Sequence, residues 1–442
     1  MKDSGIEWIG EIPEDWKVIR IKNAALLKAR IGWQGLRSDE FLLDPDLPFL
    51  VTGTDFYNGI VDWESCVRIS EKRYEMDKNI QIKENDLLIT KDGTIGKLAI
   101  AIDCPSKATL NSGVFVMRNS GRYKYIVKYM FYLLQSDQFY LWFELNESGN
   151  STIRHLYQKD FLNFSFTYPS VKEQEKISTF LDKKTMQIDD IKSTIIKEIE
   201  SLENYKKSVI TKAVTKGLDK NVEMKDSRIE WIGEIPEHWI KTKVKHACSL
   251  IGSGATPSSY NSDYYSDDGI YWIQSGDLYK TNEIITTKKK ISEKAIKTHS
   301  TLKIYESPYL VMAMYGASVG NLSISKIDAA TNQACCVMKE NSSTNLFYLY
   351  YWLLFVKDDL LRKSEGGSQP NISQDKIKNQ IMYFPTILEQ NEIATYLDEK
   401  CKLIDDSISL KKKQIETLEE YKKSLIYEYV TGKKEVTDGE GI

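Results

Sequence analysis

The stretch MKDSGIEWIGEIPEDW, residues 1–16, returns as MKDSRIEWIGEIPEHW, residues 224–239, and this repetition decides how the whole chain is organised. The two copies differ only where Gly5 and Asp15 are replaced by Arg228 and His238. Chance does not produce such a match, and internal repeats of this length indicate a duplicated structural unit. The sequence therefore predicts two halves with a common fold.

The similarity between the halves is strong at their ends and weak in their middles. The pattern P-x-x-x-E-Q-x-x-I-x-x-x-L-D occurs at Pro169–Asp182 and again at Pro385–Asp398. Between these ends only short stretches correspond, such as Asn111–Met117 with Asn332–Met338. A shared framework with divergent surfaces indicates two modules that perform the same kind of task on different targets. Recent duplication followed by drift is the alternative.

Composition sets the broad class of the protein. The chain has 442 residues, 41% of them hydrophobic, which is typical of a globular protein and allows about three folded units. No apolar run is long enough for a membrane span, and residues 1–5 lack a signal-peptide core. We therefore expect a cytoplasmic protein whose six cysteines, none in a C-x-x-C pair, are reduced, mostly buried and not metal ligands.

Each half begins as a mixed α/β globule. Short apolar runs separated by turns predict strands, and long apolar stretches without Pro or Gly predict buried helices. The predicted strands are Leu87–Thr90, Leu98–Ile102 and Val114–Met117 in the first half, and Tyr309–Met312, Leu322–Ile324 and Cys335–Met338 in the second; the predicted helices are 123–145 and 345–362.

Each half ends in a long, charged helix, over residues 171–216 and 387–430. Apolar residues that recur every seven positions indicate a coiled-coil seam. The seam residues are Leu181, Ile188, Ile195, Leu202 and Val209 in the first helix and Leu397, Ile404, Leu418 and Leu425 in the second. In the first helix Ile177, Ile191 and Tyr205 lie between seam positions, and Lys184 and Glu198 interrupt the pattern. In the second helix Lys411 interrupts it, and Ile408 with Ile415 form an alternative stripe. Two such helices in one chain predict antiparallel pairing; a helix lying on a globular core is the alternative.

The predicted architecture is two mixed α+β globular domains separated by two long antiparallel coiled-coil helices, with an internal pseudo-two-fold repeat. The predicted segments are a first globular domain at 1–168, a central helix at 169–217, a second globular domain at 218–384, a C-terminal helix at 385–432 and a disordered tail at 433–442. A Tyr-Lys-Lys motif occurs late on each helix, at 205–207 and 421–423. It suits a partner protein, the DNA backbone or a solvated helix face.

Several of these motifs resemble those of the specificity subunits of Type I restriction–modification systems. The likeness rests on W-I-G-E-I-P-x-x-W at Trp8–Trp16 and Trp231–Trp239, and on the P-x-x-x-E-Q segments. It also includes Ile31–Leu36, the Gly-Ala-Thr-Pro segment Ser253–Ser258 and the Gly-rich segment Gly366–Ile372. One departure is that the first half has Ser151–Leu156 where the second has Gly367–Ile372.

The resemblance implies that each globule binds one part of a split double-stranded DNA target and that the helices fix the distance between the parts. It further implies docking of two adenine-N6 methyltransferase subunits, which carry S-adenosylmethionine, while this chain carries no cofactor. Whether a motor–nuclease subunit joins that core stays open.

Side chains in the glycine-bounded loops suit such a role. Arg, Gln and Asn can pair with base edges, while Lys and small hydroxyls can bind phosphates. The candidates are Arg30, Trp33, Gln34, Arg37, Lys91, Thr94, Lys97 and Arg154 in the first half, and Ser253, Thr256, Ser258, Gln274, Ser275, Tyr315, Ser318, Gln369 and Asn371 in the second. For each of them, a turn former or an ordinary polar surface residue is the alternative. With a net charge of −3, DNA binding requires that the 60 basic residues be segregated onto one face.

Motifs of catalysis are missing from the sequence. It has no Asn/Asp-Pro-Pro-aromatic element, no G-x-G-x-x-G, no phosphate loop and no paired Cys/His metal spacing. We therefore expect no catalytic residue and no metal site. Two alternatives remain: a protein-interaction scaffold with two binding domains, or a self-contained DNA enzyme with a dispersed site.

Overall fold

The fold is taken from a computed structural model that describes residues 1–30, 36–146, 154–278, 282–364 and 371–437. It divides into two compact units: Met1–Ile196 with Lys412–Ile442 form unit 1, and Lys197–Lys411 form unit 2. Within the described ranges, no helix combines the length and apolar character that a membrane span requires.

Unit 1 contains the first globular domain. Its strands are β1 Lys2–Asp3, β2 Glu11–Ile12, β3 Lys17–Arg20, β4 Ala25–Ala29, β5 Phe49–Val51, β6 Phe56–Tyr57, β7 Ile60–Val61, β8 Val67–Arg68, β9 Leu87–Thr90, β10 Leu98–Ile100, β11 Ala108–Leu110, β12 Val114–Asn119 and β13 Ser165–Tyr168. Its helices are α1 Glu71–Glu75, α2 Val127–Gln135, α3 Asp137–Asn146, α4 Gln158–Phe161 and the long α5 Val171–Lys216, which continues into unit 2. Short 3₁₀ helices cover Ile21–Asn23, Ser38–Glu40, Gly53–Asp55 and Lys78–Ile80.

Unit 2 contains the second globular domain. Its strands are β14 Met224–Asp226, β15 Glu234–Pro236, β16 Ile240–Lys243, β17 Cys248–Gly252, β18 Tyr265–Ile273, β19 Glu283–Ile284, β20 Lys290–Ile291, β21 Tyr309–Ala313, β22 Leu322–Ser325, β23 Ala330–Thr331, β24 Cys335–Glu340 and β25 Ile381–Phe384. Its helices are α6 Val244–Ala247, α7 Glu293–Thr298, α8 Leu346–Phe355, α9 Lys357–Arg362, α10 Gln374–Asn379 and the long α11 Ile387–Val430, which continues into unit 1. Short 3₁₀ helices cover Ser262–Tyr264 and Ser275–Leu278.

The two domains have the same sheet topology. Unit 1 has a six-stranded sheet in the order β4-β12-β9-β10-β7-β6, and unit 2 has a five-stranded sheet in the order β17-β24-β21-β22-β19. Each sheet is antiparallel except for one parallel pair, β10 with β7 and β22 with β19. Smaller sheets also correspond: β11-β5-β8 matches β23-β18-β20, and β13-β3 matches β25-β16. The repeat in the sequence is thus a repeat of the fold, as predicted.

The central strands are apolar because both faces of the sheet are covered. Leu87, Leu88 and Ile89 of β9 are all fully buried. Leu87 and Ile89 face a core shared with α2 and the ends of the long helices, while Leu88 faces a second core with β11. A strand buried on both sides has a continuous apolar sequence rather than an alternating one.

Within each unit the two long helices run antiparallel. In unit 1, Lys422 lies 2.6 Å from Asp189 and Lys192 lies 2.8 Å from Glu419. In unit 2, Lys206 lies 2.6 Å from Asp405 and Lys411 lies 2.6 Å from Glu198. As the residue numbers of the ion-paired residues rise along the first helix, those of their partners fall along the second, so the two helices are antiparallel.

The ion pairs explain two features of the sequence. Lys206 and Lys422 are the first lysines of the Tyr-Lys-Lys motifs, and each binds a repeated aspartate, Asp405 or Asp189. The first lysine of the motif therefore recurs because it forms an ion pair between the two long helices. The seam interruptions Glu198 and Lys411 likewise bind each other.

Exchanging the charges of one pair tests this register. Asp189→Lys alone and Lys422→Asp alone each place like charges together, and each is expected to lower the free energy of unfolding by about 0.5–1 kcal/mol, as is typical of exposed pairs. The double variant restores the attraction and should recover most of the loss. Urea unfolding of the four proteins measures the coupling, and additive losses in the double variant would contradict the register.

Most of the predicted seam is buried, with clear exceptions. Leu181, Ile188, Ile195, Val209, Leu397, Ile404, Ile408 and Leu425 are buried, while Leu202, Leu418 and Ile415 are half-buried. Ile191 and Tyr205 are 50% and 56% exposed, so the intermediate stripe assigned to them is wrong. A straight helix of 3.6 residues per turn drifts away from a seven-residue repeat, so a fixed spacing leaves the seam over several turns.

The nearly identical ends of the halves meet at equivalent joints. In unit 2, Trp239 is buried and its indole N–H donates to Glu389 at 3.0 Å, where α11 begins, while Gly217 closes α5 beside Trp239 and Pro236. In unit 1, Gly432 follows α11 and lies beside Pro13 and Trp16. The same joint is built twice, which requires the same residues twice.

Two predicted helices differ in the structure. The helix predicted over 123–145 is broken at the extended, buried Ser136, whose hydroxyl donates to the Leu133 carbonyl at 2.7 Å. The helix predicted over 345–362 is interrupted at Val356. The disorder predicted for the tail at 433–442 stays a prediction; at its start the backbone amides of Lys433 and Lys434 donate to the Glu428 carbonyl. Residues 438–442 lie outside the described residues.

All six cysteines are free, and Cys66, Cys335, Cys336 and Cys401 are buried. Burial raises the pKa of the half-buried Cys104 thiol to about 11 and that of Cys248 to about 12. Because the thiolate is the reactive form, these thiols are poor nucleophiles at neutral pH.

Candidate DNA interface

The turn that follows β9 presents several candidate residues of the first domain. Thr90 holds the turn closed: its hydroxyl donates to the Thr94 carbonyl and accepts from the Lys97 amide at 2.9 Å. Thr94 is exposed at the tip. Lys91 lies over the Phe115 ring and 3.4 Å from Asp92, and the Lys97 ammonium donates to the Gly53 carbonyl at 3.1 Å.

Arg30 and Arg37 have other positions. Arg30 is only 2% exposed, and its Nε donates to the Leu110 carbonyl at 2.9 Å. Desolvation lowers the pKa of its guanidinium. It holds β4 against β11 and does not face solvent, contrary to the expected surface role. Arg37 is exposed, and its backbone amide donates to Glu40 at 3.0 Å.

A histidine absent from the candidate set lies directly beside the same turn. His155 Nδ1 is 2.6 Å from Asp92 Oδ1, and the two residues form an isolated antiparallel β-bridge. The Leu156 amide also donates to the Lys91 carbonyl at 2.9 Å. This contact brings the exposed Arg154 next to the turn. His155 could not be identified from the sequence, because no local pattern places residue 155 beside residue 92.

Aromatic residues hold the Gly-Ala-Thr-Pro loop of the second domain in place. Tyr305 donates to the Ser253 carbonyl at 3.2 Å, Trp272 to the Ala255 carbonyl at 3.3 Å, and Tyr265 to the Pro257 carbonyl at 2.8 Å. The loop is therefore fixed from inside. Thr256 and Ser258 are exposed on it, and the Thr256 hydroxyl donates to Gln333.

The remaining candidates of the second domain surround a second turn. The Ser318 hydroxyl donates to the Ser275 carbonyl at 2.7 Å, and Ser318 is buried. It therefore supports the turn from inside, whereas the sequence predicted a side chain that faces solvent. The Gln274 amide donates to Asp277 at 2.8 Å and starts the 3₁₀ helix Ser275–Leu278. Tyr315 is half-buried and Asn371 is exposed. Trp33, Gln34 and Gln369 lie outside the described residues.

The two turns have matching backbone frames. In the first domain the Lys91 amide donates to the Gly113 carbonyl at 2.9 Å, and the Leu156 amide donates to the Lys91 carbonyl at 2.9 Å. In the second, the Met314 amide donates to the Ala334 carbonyl at 2.7 Å and the Ile372 amide to the Met314 carbonyl at 2.8 Å. The frames carry different side chains: Asp92 and His155 in one, Tyr315 and Asn371 in the other.

The described residues contain no group of three or more His, Cys, Asp or Glu side chains suited to hold a metal ion. What the frames offer chemically is hydrogen bonding: amide, hydroxyl and imidazole groups with nearby lysines. Such side chains suit base edges and phosphates.

Comparison with known proteins gives the chain its family. The family model described as Type I restriction modification DNA specificity domain matches residues 13–201 and again residues 236–420. The Type I restriction enzyme MjaVIII specificity subunit of Methanocaldococcus jannaschii is 26% identical over 432 residues, covering 96% of this chain and 93% of that subunit.

Two solved structures share the fold. A chain from the work "Structural basis underlying complex assembly and conformational transition of the type I R-M system" is 13% identical, with a TM-score of 0.73, and the match covers 96% of this chain and 100% of that one. The HsdS subunit of Thermoanaerobacter tengcongensis is 14% identical, with a TM-score of 0.52 and coverages of 96% and 98%. Because the family model matches both halves, the chain belongs to the Type I restriction–modification DNA specificity family and carries its domain twice.

Proposed function

We propose that the chain binds an asymmetric, two-part DNA target, one part through each domain, and gives sequence choice to partner enzymes. The observation that carries this proposal is the pair of matching backbone frames with different side chains. A common frame supports the same approach to the double helix, and different side chains support different base sequences.

Within each domain some side chains suit contacts with phosphates and others suit contacts with base edges. Lys91 and Lys97 suit phosphates, as do the Thr94 and Thr256 hydroxyls and Ser258, and such contacts position a protein without reading sequence. Asn371 carries an amide whose paired donor and acceptor suit adenine. The chain itself performs no chemistry in this proposal and holds no cofactor.

We further propose that two adenine-N6 methyltransferase subunits dock on the helices, where they supply S-adenosylmethionine, and that a motor–nuclease subunit can join them. Tyr205 in unit 2 and Tyr421 in unit 1 occupy equivalent positions and are 56% and 53% exposed. Exposed aromatic residues are enriched in protein interfaces. Repetition of the same exposed residue in both units suits two copies of one partner. We also propose a cytoplasmic location, where the assembly has access to its DNA.

A map of N6-methyladenine tests the proposal. In a methylation-free host that co-expresses this chain with its methyltransferase, we expect one asymmetric motif of two parts with a fixed unspecified gap. The motif should be absent when this chain is omitted. A stable complex and an active methyltransferase without any such motif would contradict the proposal and favour a protein scaffold.

Salt dependence is a second measurement on the same complex. Phosphate contacts release counterions, so a DNA-reading complex should lose affinity steeply between 50 and 200 mM salt, by about 10³-fold for six contacts. Fluorescence anisotropy with a labelled duplex measures it. Affinity that is flat across this range would contradict DNA binding.

A further inference from the structure

In each domain a segment distant in sequence packs across the turn at residues 91–94 or 314–318, and we call this contact the crossing. The two crossings lie at equivalent points of the fold, so their side chains are candidates for contacts with DNA bases. In both domains the crossing is made by backbone hydrogen bonds, through Lys91 and Leu156 or through Met314 and Ile372. In both domains the crossing is therefore held by backbone groups, which any residue except proline can supply at these positions. Side chains at such a point can change without loss of the fold.

In the first domain the side chains at this crossing are those of the half-buried Asp92 and the exposed His155. The carboxylate can only accept, so at 2.6 Å the His155 Nδ1 carries the proton and donates it. The hydrogen bond fixes both the tautomer and the orientation of the ring. Nε2 lies on the opposite side of the ring, and the His155 side chain is 40% exposed.

In the second domain the equivalent residues are Tyr315 and Asn371. Tyr315 lies close to Gln333, and the Gln333 side-chain carbonyl accepts a hydrogen bond from Thr256 of the Gly-Ala-Thr-Pro loop. Three neighbouring segments thus converge beside Asn371, which is itself exposed. The Asn371 amide offers one donor and one acceptor side by side, the pattern that matches adenine N7 and N6.

We propose that His155, positioned by Asp92, and Asn371, beside Tyr315, are equivalent base-contacting residues of the two domains, each reading one base pair in its own half of a duplex DNA target. The inference rests on the proposed function and deepens it. Asn371 is assigned an adenine. His155 makes a single hydrogen bond through Nε2, and Asp92 acts as its positioning residue.

The test uses the complete complex of this chain with its methyltransferase. His155→Ala should relax the methylated motif at one position of one half, and Asn371→Ala should relax one position of the other half. The gap and all other positions should stay unchanged. His246→Ala and Asn379→Ala, which remove exposed residues of the same types away from the crossings, should leave the motif intact.

Duplexes that carry each of the four base pairs at the affected position provide a direct readout. Wild-type complex should prefer the cognate pair by about 10-fold to 100-fold, and His155→Ala should bind all four nearly equally. Asp92→Ala should relax the same position, and the double variant should be no worse than His155→Ala alone. This readout also decides the matter if a variant methylates no DNA in cells.

Two results would overturn the inference. One is an unchanged motif and unchanged discrimination in both variants. The other is a uniform loss of affinity on every sequence together with a salt slope reduced by about 1, which marks a phosphate contact. A wild-type complex that shows no motif dependent on this chain would instead overturn the proposed function, so the two failures are distinguishable.

Discussion

Replacing Leu181 by Asp is expected to unfold unit 1 at a temperature at least about 10 °C below that of the wild type. Leu181 is fully buried in the core that joins α5, the end of α11 and the first domain. Removing the buried leucine alone costs about 2–5 kcal/mol, and an unpaired carboxylate in the same place costs several more. A loss of about 5 kcal/mol shifts the Tm of a domain of this size by about 10–20 °C.

Ile191→Asp is the matched control for this prediction. Ile191 lies on the same helix and in the same unit, but its side chain is half exposed, so its change should move the Tm by no more than a few degrees. Differential scanning calorimetry of both variants separates the cases. Equal Tm values for wild type and Leu181→Asp would contradict the paired-helix core of unit 1.

Replacing Gly254 by Ala is expected to abolish recognition of one half of the DNA target. A Cβ at Gly254 would overlap the backbone carbonyl of Thr331, which cannot move aside without disturbing β23. The loop that carries Thr256 and Ser258 must therefore shift. Loss of the two proposed phosphate contacts, at about 1–2 kcal/mol each, lowers affinity by about 30-fold to 1000-fold. Because phosphate contacts set the register of a domain on DNA, their loss also displaces the base-reading side chains of the second domain.

Gly276→Ala is the control, because no atom lies within 4 Å of a Cβ at that position in the same domain. Methylation of the target by the complex and anisotropy of half-substituted duplexes measure the effect. Gly254→Ala should lose discrimination in the half read by the second domain and keep it in the other. Loss in both halves, or in neither, would be inconsistent with one domain for each half.

Sequence determined the repeat, the fold class and the long helices of this protein. The helices observed at Val171–Lys216 and Ile387–Val430 have the predicted bounds, because a seven-residue apolar pattern without proline is a local signal. The breaks at Ser136 and Val356 could not be predicted. Neither break contains the Pro or Gly that would mark the end of a helix in the sequence, and packing in the core decides where each helix ends.

Only the tertiary structure decided which polar residues face solvent and which of them meet. Arg30 and Ser318 looked like surface residues in glycine-bounded segments, yet each is buried and bonded to backbone carbonyls. His155 was not among the residues that the sequence suggested for DNA contact, yet its side chain is hydrogen-bonded to Asp92. Composition and spacing report the local preference of the chain, whereas contacts between residues 63 positions apart depend on how the strands pair.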